Sequence, residues 1–217
     1  MKSFQELRKR LDPKRQISCK SCGLYLNQYP VRDKIKSGGV FWVGLSAVKF
    51  GEGSKRLPLS SDTRSGELIS NIEAPFEGRI SFYKTNLVKC LPLNNSTGKI
   101  RYPLKKEMGK CFPNLQAEID GLNPKIIFLL GRQVTSFVLS QYSIDESKAQ
   151  IIFNYPSYSY GELRFVPIHH PSYVLVYKRK YISNYISAVR EHLSNLESSY
   201  KSLHDSILLT TVAAQDS

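Results

Sequence analysis

The stretch that decides the fold is VFWVGLSA, which runs from Val40 to Ala47. It is an almost continuous apolar run, and the glycine-rich, charged loop KFGEGSKR follows it. A strand in a parallel sheet is covered on both faces, so it is apolar along its whole length rather than at every second residue. The pattern therefore predicts a buried parallel strand followed by a loop at the edge of a sheet.

Further strands and helices alternate along the chain. The strands are predicted at residues 80–88, 125–131 and 163–170, and the helices at residues 3–11, 65–72 (with Ser65 as its cap), 104–122, 132–141 and 181–196. Such alternation indicates right-handed crossovers and helices packed on a sheet. We expect an α/β fold, a three-layer α/β/α sandwich around a central, mostly parallel four-stranded sheet. A chain of 217 residues fits one domain, predicted at residues 1–196 with a C-terminal tail at 197–217.

In sheets of this kind, ligands bind beyond the carboxyl ends of the strands. The loops that follow Leu45, Asn86 and His169 all lie at that edge in the predicted fold. We therefore expect the functional residues to come from these three loops.

The chain is strongly basic, with 31 Lys and Arg against 18 Asp and Glu and a net charge of +13. An excess of this size favours a polyanionic partner, nucleic acid or an anionic membrane, although a protein that is merely basic remains an alternative. The charged N-terminus lacks the apolar core of a signal peptide, and the longest apolar run, Ile126–Leu130, is too short to span a bilayer. We expect a cytoplasmic protein, which would be nucleoid-associated if its polyanionic partner is DNA.

The four cysteines form one close pair and two separate residues. Cys19 and Cys22 make a C-x2-C knuckle, whereas twenty residues separate Cys90 from Cys111. In a reducing cytosol such cysteines indicate metal binding or catalysis before disulfides. Structural zinc usually takes two close knuckles, and four thiolates are also what a 4Fe–4S cluster needs. Unrelated thiols remain an alternative on spacing alone.

The stretch from TNLVKCLPLN to NPKIIFLLG resembles the iron–sulfur (family 4) uracil-DNA glycosylases. Positions that match the family's pattern in order are Asn86, Val88, Lys89, Cys90, Pro92, Pro103, Glu107, Cys111, Pro113, Leu115, Pro124 and Gly131. The C-x2-C knuckle and the run His170-Pro171-Ser172 match too, so the resemblance covers roughly residues 15 to 195. It implies that Cys19, Cys22, Cys90 and Cys111 hold a structural 4Fe–4S cluster.

The first family motif departs from the pattern. Where the family reads Gly-Glu-Ala-Pro-Gly-x-x-Glu-Asp, this chain has residues 44–52, which lack the first Glu and the Pro and keep only Glu52 of the acidic end. Leu59 stands where the family has a phenylalanine that stacks on the flipped base. The resemblance places Gly44, Ser46 and Leu59 in the base pocket, and that pocket is the altered part.

Removing a base requires that the nucleotide be flipped out, its pairing edge recognised and the charge of the departing base stabilised. The resemblance assigns base reading to Asn86, whose amide donates and accepts at once, and a hydrogen bond to the leaving base to His170. Asn86 could instead close a turn, and His169 is interpreted as merely packed. Glu52 and Asp62 are the candidate carboxylates for water or the sugar, with a weak preference for Asp62; either could be a solvated loop acid.

The run YKRKY, residues 177–181, interleaves aromatic and basic residues directly after the His-Pro-Ser loop. We predict that Lys178 and Arg179, with Ser172, contact DNA phosphates, which position DNA without reading its sequence. A basic helix start is the alternative interpretation.

Together with these features, the resemblance implies a monofunctional DNA glycosylase, a base-excision hydrolase that removes uracil or another modified base. We expect it to be a monomer that binds DNA and no membrane. Strand cleavage is not expected, because no lysine is placed as a Schiff-base nucleophile. One alternative is a glycosylase for a bulky hypermodified cytosine in phage DNA, acting in antiviral defence. Another is an iron–sulfur DNA-binding protein whose catalytic loop has decayed.

Overall fold

The computed structural model describes residues 19–33, 39–50, 57–146 and 153–213, with side chains described up to residue 202. The strands are β1 (Val40–Ser46), β2 (Phe82–Val88), β3 (Ile126–Leu130), β4 (Tyr158–Tyr160) and β5 (Leu163–Ile168). They form one sheet in the order β2-β1-β3-β5-β4, in which only the β4–β5 pairing is antiparallel. The predicted α/β fold with a mostly parallel sheet is confirmed.

The sheet has five strands, so the expected number of four is wrong. The additional strand, β4, has three residues at the edge of the sheet and joins β5 through a tight turn in which Gly161 has a φ of 59°. A half-exposed strand of three residues carries no apolar run, and sequence periodicity therefore does not reveal it.

The helices are α1 (Arg64–Glu73), α2 (Lys105–Leu122), α3 (Arg132–Gln141), α4 (Pro171–Tyr177) and α5 (Ile182–Ala213), and 3-10 turns occur at Leu24–Leu26, Ala74–Phe76 and Arg179–Tyr181. The predicted helix at residues 3–11 lies outside the described residues. Among the described residues, none of the helices has the length and apolar character needed to cross a bilayer.

Three helix predictions need correction. The cap of α1 is Thr63 rather than Ser65, since the Thr63 hydroxyl accepts the Gly66 N–H at 3.1 Å. The segment after His170, expected to be a loop, forms α4 with Pro171 at its first position, where proline's missing N–H costs nothing. Helix α5 continues past Leu196 because Tyr200 still packs on the core; the division at residue 196 stays a prediction.

Helices cover both faces of the sheet, and alternate residues of each strand enter two separate cores. Phe41 and Val43 of β1 pack with α2 and α3, whereas Val40 and Trp42 pack with α1, α4 and α5. This double coverage explains the apolar runs of the parallel strands. It also leaves the carboxyl ends of β1, β2, β3 and β5 as the edge where loops gather.

A buried ion pair ties β2 to α2. The Lys89 ammonium, which is 1% exposed, donates to a carboxylate oxygen of the fully buried Glu118 at 2.7 Å and to the Thr85 hydroxyl at 2.6 Å. Burial lowers the pKa of Lys89, and the charge of Glu118 opposes that shift. Arg32 lies 3.3 Å from the other Glu118 oxygen. The Thr85 hydroxyl in turn donates to Glu118 at 2.9 Å.

We expect Lys89→Met to destabilise the protein by about 3–5 kcal/mol, because it leaves the Glu118 carboxylate buried without its ammonium partner. In a chain of this size that loss lowers the melting temperature by roughly 10 °C. Thermal unfolding of both single variants and of Lys89→Met/Glu118→Gln measures the coupling. The double variant should lose less than the sum of the singles; strictly additive losses would show that the pair contributes nothing.

Candidate active site

A pocket of about 690 Å³ opens at the carboxyl edge of the sheet. Its wall is built from the end of β1 and the loop after it, the turn before α1, the end of β2, the start of α3, and α4. These segments include the three loops that the strand pattern placed at this edge. Asn86, Ser46, Leu59, His170 and Ser172 of the predicted site residues all line this one pocket.

Asn86 lies on β2 opposite Gly44 of β1 and is 5% exposed. A Cβ at Gly44 would lie 2.4 Å from the Asn86 side-chain oxygen, so only glycine leaves room for that amide. The Asn86 backbone carbonyl accepts a hydrogen bond from the Lys89 ammonium at 2.6 Å. Gly44 is therefore adjacent to the pocket as a spacer, and the buried ion pair holds the backbone from which Asn86 projects.

His170 is the N-cap of α4, where its ring Nδ1 accepts the Ser172 backbone N–H at 3.2 Å. A nitrogen that accepts a backbone N–H carries no proton, so the neutral ring has its proton on Nε2. The Ser172 hydroxyl, 2.8 Å from Nδ1, then acts as a second donor. Burial lowers the pKa of His170, which favours this neutral form. The pocket thus contains an uncharged imidazole with one N–H donor.

The neighbouring His169 is packed, as expected. Its Nδ1 shares a hydrogen bond with the Tyr155 hydroxyl at 2.9 Å, and its ring stacks on Tyr173 with centroids 5.4 Å apart. The Tyr185 hydroxyl donates to its backbone carbonyl at 3.0 Å. It is not among the residues that line the pocket.

Leu59 reaches the pocket from a tight turn in which its φ is 50°, the left-handed region that a branched residue rarely adopts. The turn is pressed against α1: a Cβ on Gly66 would lie 2.0 Å from the Ser60 carbonyl oxygen. The Thr63 hydroxyl also donates to that carbonyl at 2.8 Å. This turn is thereby held in place and presents an aliphatic side chain to the site.

Of the two candidate carboxylates, only Asp62 is described, and it does not line the pocket. Asp62 is exposed on the turn before α1 and is absent from the pocket wall, although it does interact elsewhere. Glu52 lies outside the described residues. Within the described part of the wall there is no Asp or Glu, so the weak preference for Asp62 finds no support in the geometry.

Several pocket residues were missed by sequence reasoning. Phe50, Tyr102, Arg132, Tyr173 and Tyr177 line the wall. The last two stand four residues apart and would have shared a helix face had the segment after His170 been interpreted as a helix. Nothing in the local sequence marks Phe50 or Tyr102, which reach the pocket only through the fold.

Lys178 and Arg179 follow α4 at the 3-10 turn, with Arg179 exposed and Lys178 half-buried. Neither lines the pocket, but both lie within two residues of Tyr177, which does. Their placement suits contact with a phosphate chain that passes the pocket mouth. The Ser172 hydroxyl, by contrast, is already occupied with His170.

The four cysteines come together in a second cavity, away from the pocket. Cys19, Cys22, Cys90 and Cys111 line it with Arg32, Lys89, Lys110 and Asn114 among others. Burial, together with the other thiols, raises the pKa of Cys90 to about 12. The Lys89 backbone N–H lies 3.4 Å from the Cys111 sulfur as a donor. None of the four is in a disulfide.

The four sulfurs line one cavity without converging on a single metal position. Among the described residues there is no group of three or more His, Cys, Asp or Glu side chains arranged around one metal position. A 4Fe–4S cluster takes one thiolate on each iron, so its ligands surround it rather than converge on a point. Four sulfurs around one cavity, with basic side chains beside them, are compatible with such an anionic group.

Comparison with known proteins supports the motif-based resemblance. Residues 29–194 match the family described as the uracil DNA glycosylase superfamily. A type-4 uracil-DNA glycosylase of Saccharolobus solfataricus is 32% identical over 60% of this chain and 62% of its own length. One from Sulfurisphaera tokodaii is 29% identical over 73% of this chain and 72% of its own length.

One solved structure is also similar: the crystal structure of wild-type Pedobacter heparinus SMUG2 has a TM-score of 0.47 and 17% identity, covering 82% of this chain and 78% of that one. The chain spans about three fifths of the length of the S. solfataricus relative. The family match, however, extends over most of the chain and includes every strand of the sheet. The chain therefore belongs to the uracil-DNA glycosylase superfamily.

Proposed function

We propose that the protein is a monofunctional DNA glycosylase that hydrolyses the N-glycosidic bond of uracil, or of another modified base, flipped out of DNA. The observation that carries this proposal is the meeting of the Asn86 amide and the neutral His170 imidazole in one pocket. The amide both donates and accepts, which matches a carbonyl beside a ring N–H. The His170 imidazole supplies an N–H donor to the departing base, on which negative charge develops as the bond breaks.

In this reaction the C1′–N bond breaks and its electron pair leaves with the base. Water supplies a hydroxyl to C1′ and a proton to the base, so no other reactant is required. The sugar becomes cation-like while the base becomes anionic, and a hydrogen bond to the base strengthens as charge builds. His170 is suited to that role because Ser172 fixes its ring and leaves the proton on Nε2.

For the carboxylate that orients water or faces the sugar, we propose Glu52 ahead of Asp62. Asp62 is exposed and outside the pocket wall. Glu52 stands two positions after Phe50 in the sequence, and Val48 and Phe50 line the pocket. This assignment rests on the position of Glu52 in the chain.

A bulkier base is the second candidate substrate. Leu59 stands where the resemblance places a stacking ring, and the pocket of about 690 Å³ is ample for a substituted pyrimidine. Excision of a hypermodified cytosine in phage defence therefore stays a prediction, as does the cytoplasmic, monomeric state.

We further propose that Cys19, Cys22, Cys90 and Cys111 hold a 4Fe–4S cluster. When bound, the cluster serves as a structural cross-link between the N-terminal knuckle, the end of β2 and α2. The support is the shared cavity of the four sulfurs and the similarity of the chain to type-4 uracil-DNA glycosylases. Lys89 and Asn114 place N–H groups 3.4 Å and 3.9 Å from the Cys111 sulfur, where they would stabilise a thiolate.

Alanine substitution of Asn86 or His170 should reduce base release by about 10²–10³-fold, the usual cost of losing one transition-state donor. DNA affinity and iron content should stay near wild type, because neither residue contacts phosphate or the cysteines in this proposal. Single-turnover release from uracil-containing DNA measures the effect. Asn94→Ala, on an exposed loop outside the pocket, is the matched control. Full activity in both pocket variants would falsify the assignment.

The pH dependence of kcat/KM should follow His170. Because burial lowers its pKa, the ring stays neutral down to a pH below about 6.5, the ordinary histidine value. Activity should be constant above the pKa of His170 and should fall at lower pH. Protonation of Nδ1 then removes the acceptor of the hydrogen bond from the Ser172 N–H. His170→Gln should lose this acid limb and His169→Gln should keep it. A limb that survives in His170→Gln belongs to another group.

Protein purified without oxygen should contain about four irons and as many sulfides per chain, as Cys₄ ligation of a 4Fe–4S cluster requires. Cys111→Ser should lose iron and stability together, since ligation and folding are linked. Ser61→Ala, at an exposed serine that does not line the cysteine cavity, should keep the wild-type iron content. Tightly bound zinc in place of iron would show that the four cysteines do not hold a 4Fe–4S cluster.

A further inference from the structure

Large aromatic side chains surround the mouth of the pocket and face solvent. Tyr102 is 71% exposed, Tyr177 is 72% exposed and Tyr173 is 40% exposed, and all three line the pocket. Exposed aliphatic residues, Val48, Leu57 and Val176, stand among them. Exposed apolar and aromatic side chains that gather around one pocket indicate a binding surface.

On one side of the pocket the rings form a ladder along α4. Tyr173 and Tyr177 are one turn apart, with centroids 5.3 Å apart and planes tilted by 40°. Tyr173 stacks in turn on His169, at 5.4 Å and 13°. His169 is itself held by its hydrogen bond to Tyr155. The ladder therefore leads outward from the buried end of β5 to solvent, and its inner part is fixed in place.

Tyr102 approaches the pocket from the loop between β2 and α2, three strands away from β5 in the sheet. Its ring is exposed, but its backbone is pinned by Arg101. The Arg101 guanidinium donates to both Glu107 oxygens, at 2.8 Å and 2.6 Å, and to the Leu93 and Tyr102 carbonyls, each at 3.0 Å. Tyr102 is thus presented on a fixed loop at little entropic cost.

Positive charge accompanies the rings. Arg132 lines the pocket, and Lys178, Arg179 and Lys180 follow Tyr177 directly. The described part of the wall contains no acidic side chain. Exposed aromatic rings beside basic groups are the combination by which proteins bind single-stranded nucleic acid, because bases stack on the rings while the cations meet phosphates. In a duplex the base faces are already stacked on each other.

We propose that Tyr102, Tyr173 and Tyr177 form a stacking platform for the unpaired bases that flank the excised nucleotide, so that single-stranded DNA is the preferred substrate. This inference rests on the proposed glycosylase function, since the platform surrounds the pocket assigned to the flipped base. The base pocket itself selects the lesion, and the platform selects the strand state. Stacking on the two outer rings, Tyr102 and Tyr177, supplies the preference because they are the most exposed.

The test measures binding of the cluster-loaded protein to an undamaged single-stranded oligonucleotide and to the same sequence as a duplex. Because neither probe contains a base to excise, binding reports on the platform apart from the chemistry. Tyr102→Ala and Tyr177→Ala should each weaken single-strand binding about tenfold, within the range of one lost base–aromatic stack, and leave duplex binding nearly unchanged. Tyr102→Phe and Tyr177→Phe keep the rings and should bind as wild type.

A matched charge control is Lys180→Ala, which should weaken binding to both DNAs alike, because phosphate contacts do not depend on strand state. A fluorescent adenine analogue in the single strand should be quenched by the wild type and by the phenylalanine variants only. The platform is wrong if the alanine variants bind single-stranded DNA like wild type, or if their affinities for single-stranded and duplex DNA fall equally. The platform is also wrong if those variants change oligomeric state, because the rim would then be a contact between copies of the chain.

Failure of the platform and failure of the glycosylase function give different results. Ring-dependent single-strand binding by a protein that releases no base from any substrate would leave the platform in place and remove the activity. If base release is the same on single-stranded and duplex DNA and does not depend on Tyr102 or Tyr177, the activity is kept and the platform is wrong.

Discussion

The buried ion pair between Lys89 and Glu118 is the interaction on which both functional regions depend. Lys89 uses its ammonium to hold Glu118 of α2 and the carbonyl of Asn86, and uses its backbone N–H to reach the Cys111 sulfur. Two charges buried this deeply are costly unless each satisfies the other. One lysine therefore fixes the end of β2 between the Asn86 amide and the cysteine cavity.

The site itself is made of small, neutral groups placed by the backbone. Gly44 gives Asn86 its space, and the N-terminus of α4 turns His170 so that Nδ1 accepts and Nε2 keeps its proton. An uncharged donor suits a leaving group that becomes anionic, because it needs no desolvated cation in the resting enzyme. Lys178, Arg179 and Lys180 lie outside the pocket wall, at the turn after α4, where we propose that they contact phosphates, whereas Arg132 lines the pocket.

The departures from the family pattern gather on the loop after β1 and the turn at Leu59. Leu59 has a left-handed backbone conformation, and the Ser60 carbonyl lies so close to Gly66 that a Cβ there would clash. Packing against α1 therefore fixes the conformation of this turn. It lines the pocket together with Phe50, an aromatic side chain from another loop. The sheet, Asn86 and His170 thus follow the family pattern, whereas the loop after β1 and the turn at Leu59 depart from it.

The sequence by itself determined the parallel sheet and the edge at which the site lies, since buried strands are apolar throughout and their carboxyl ends must meet. The resemblance to the family, which an ordered set of motifs carries, added Asn86, His170 and the four cysteines as candidate site residues. Only the tertiary structure decided which other side chains join them. Tyr102, Phe50 and Asp62 are ordinary loop residues locally; long-range packing brings the first two to the pocket and leaves Asp62 outside it. The sequence pattern did not reveal the short edge strand β4 or the helix after His170, because contacts with β5 and α1, rather than the local sequence, stabilise them.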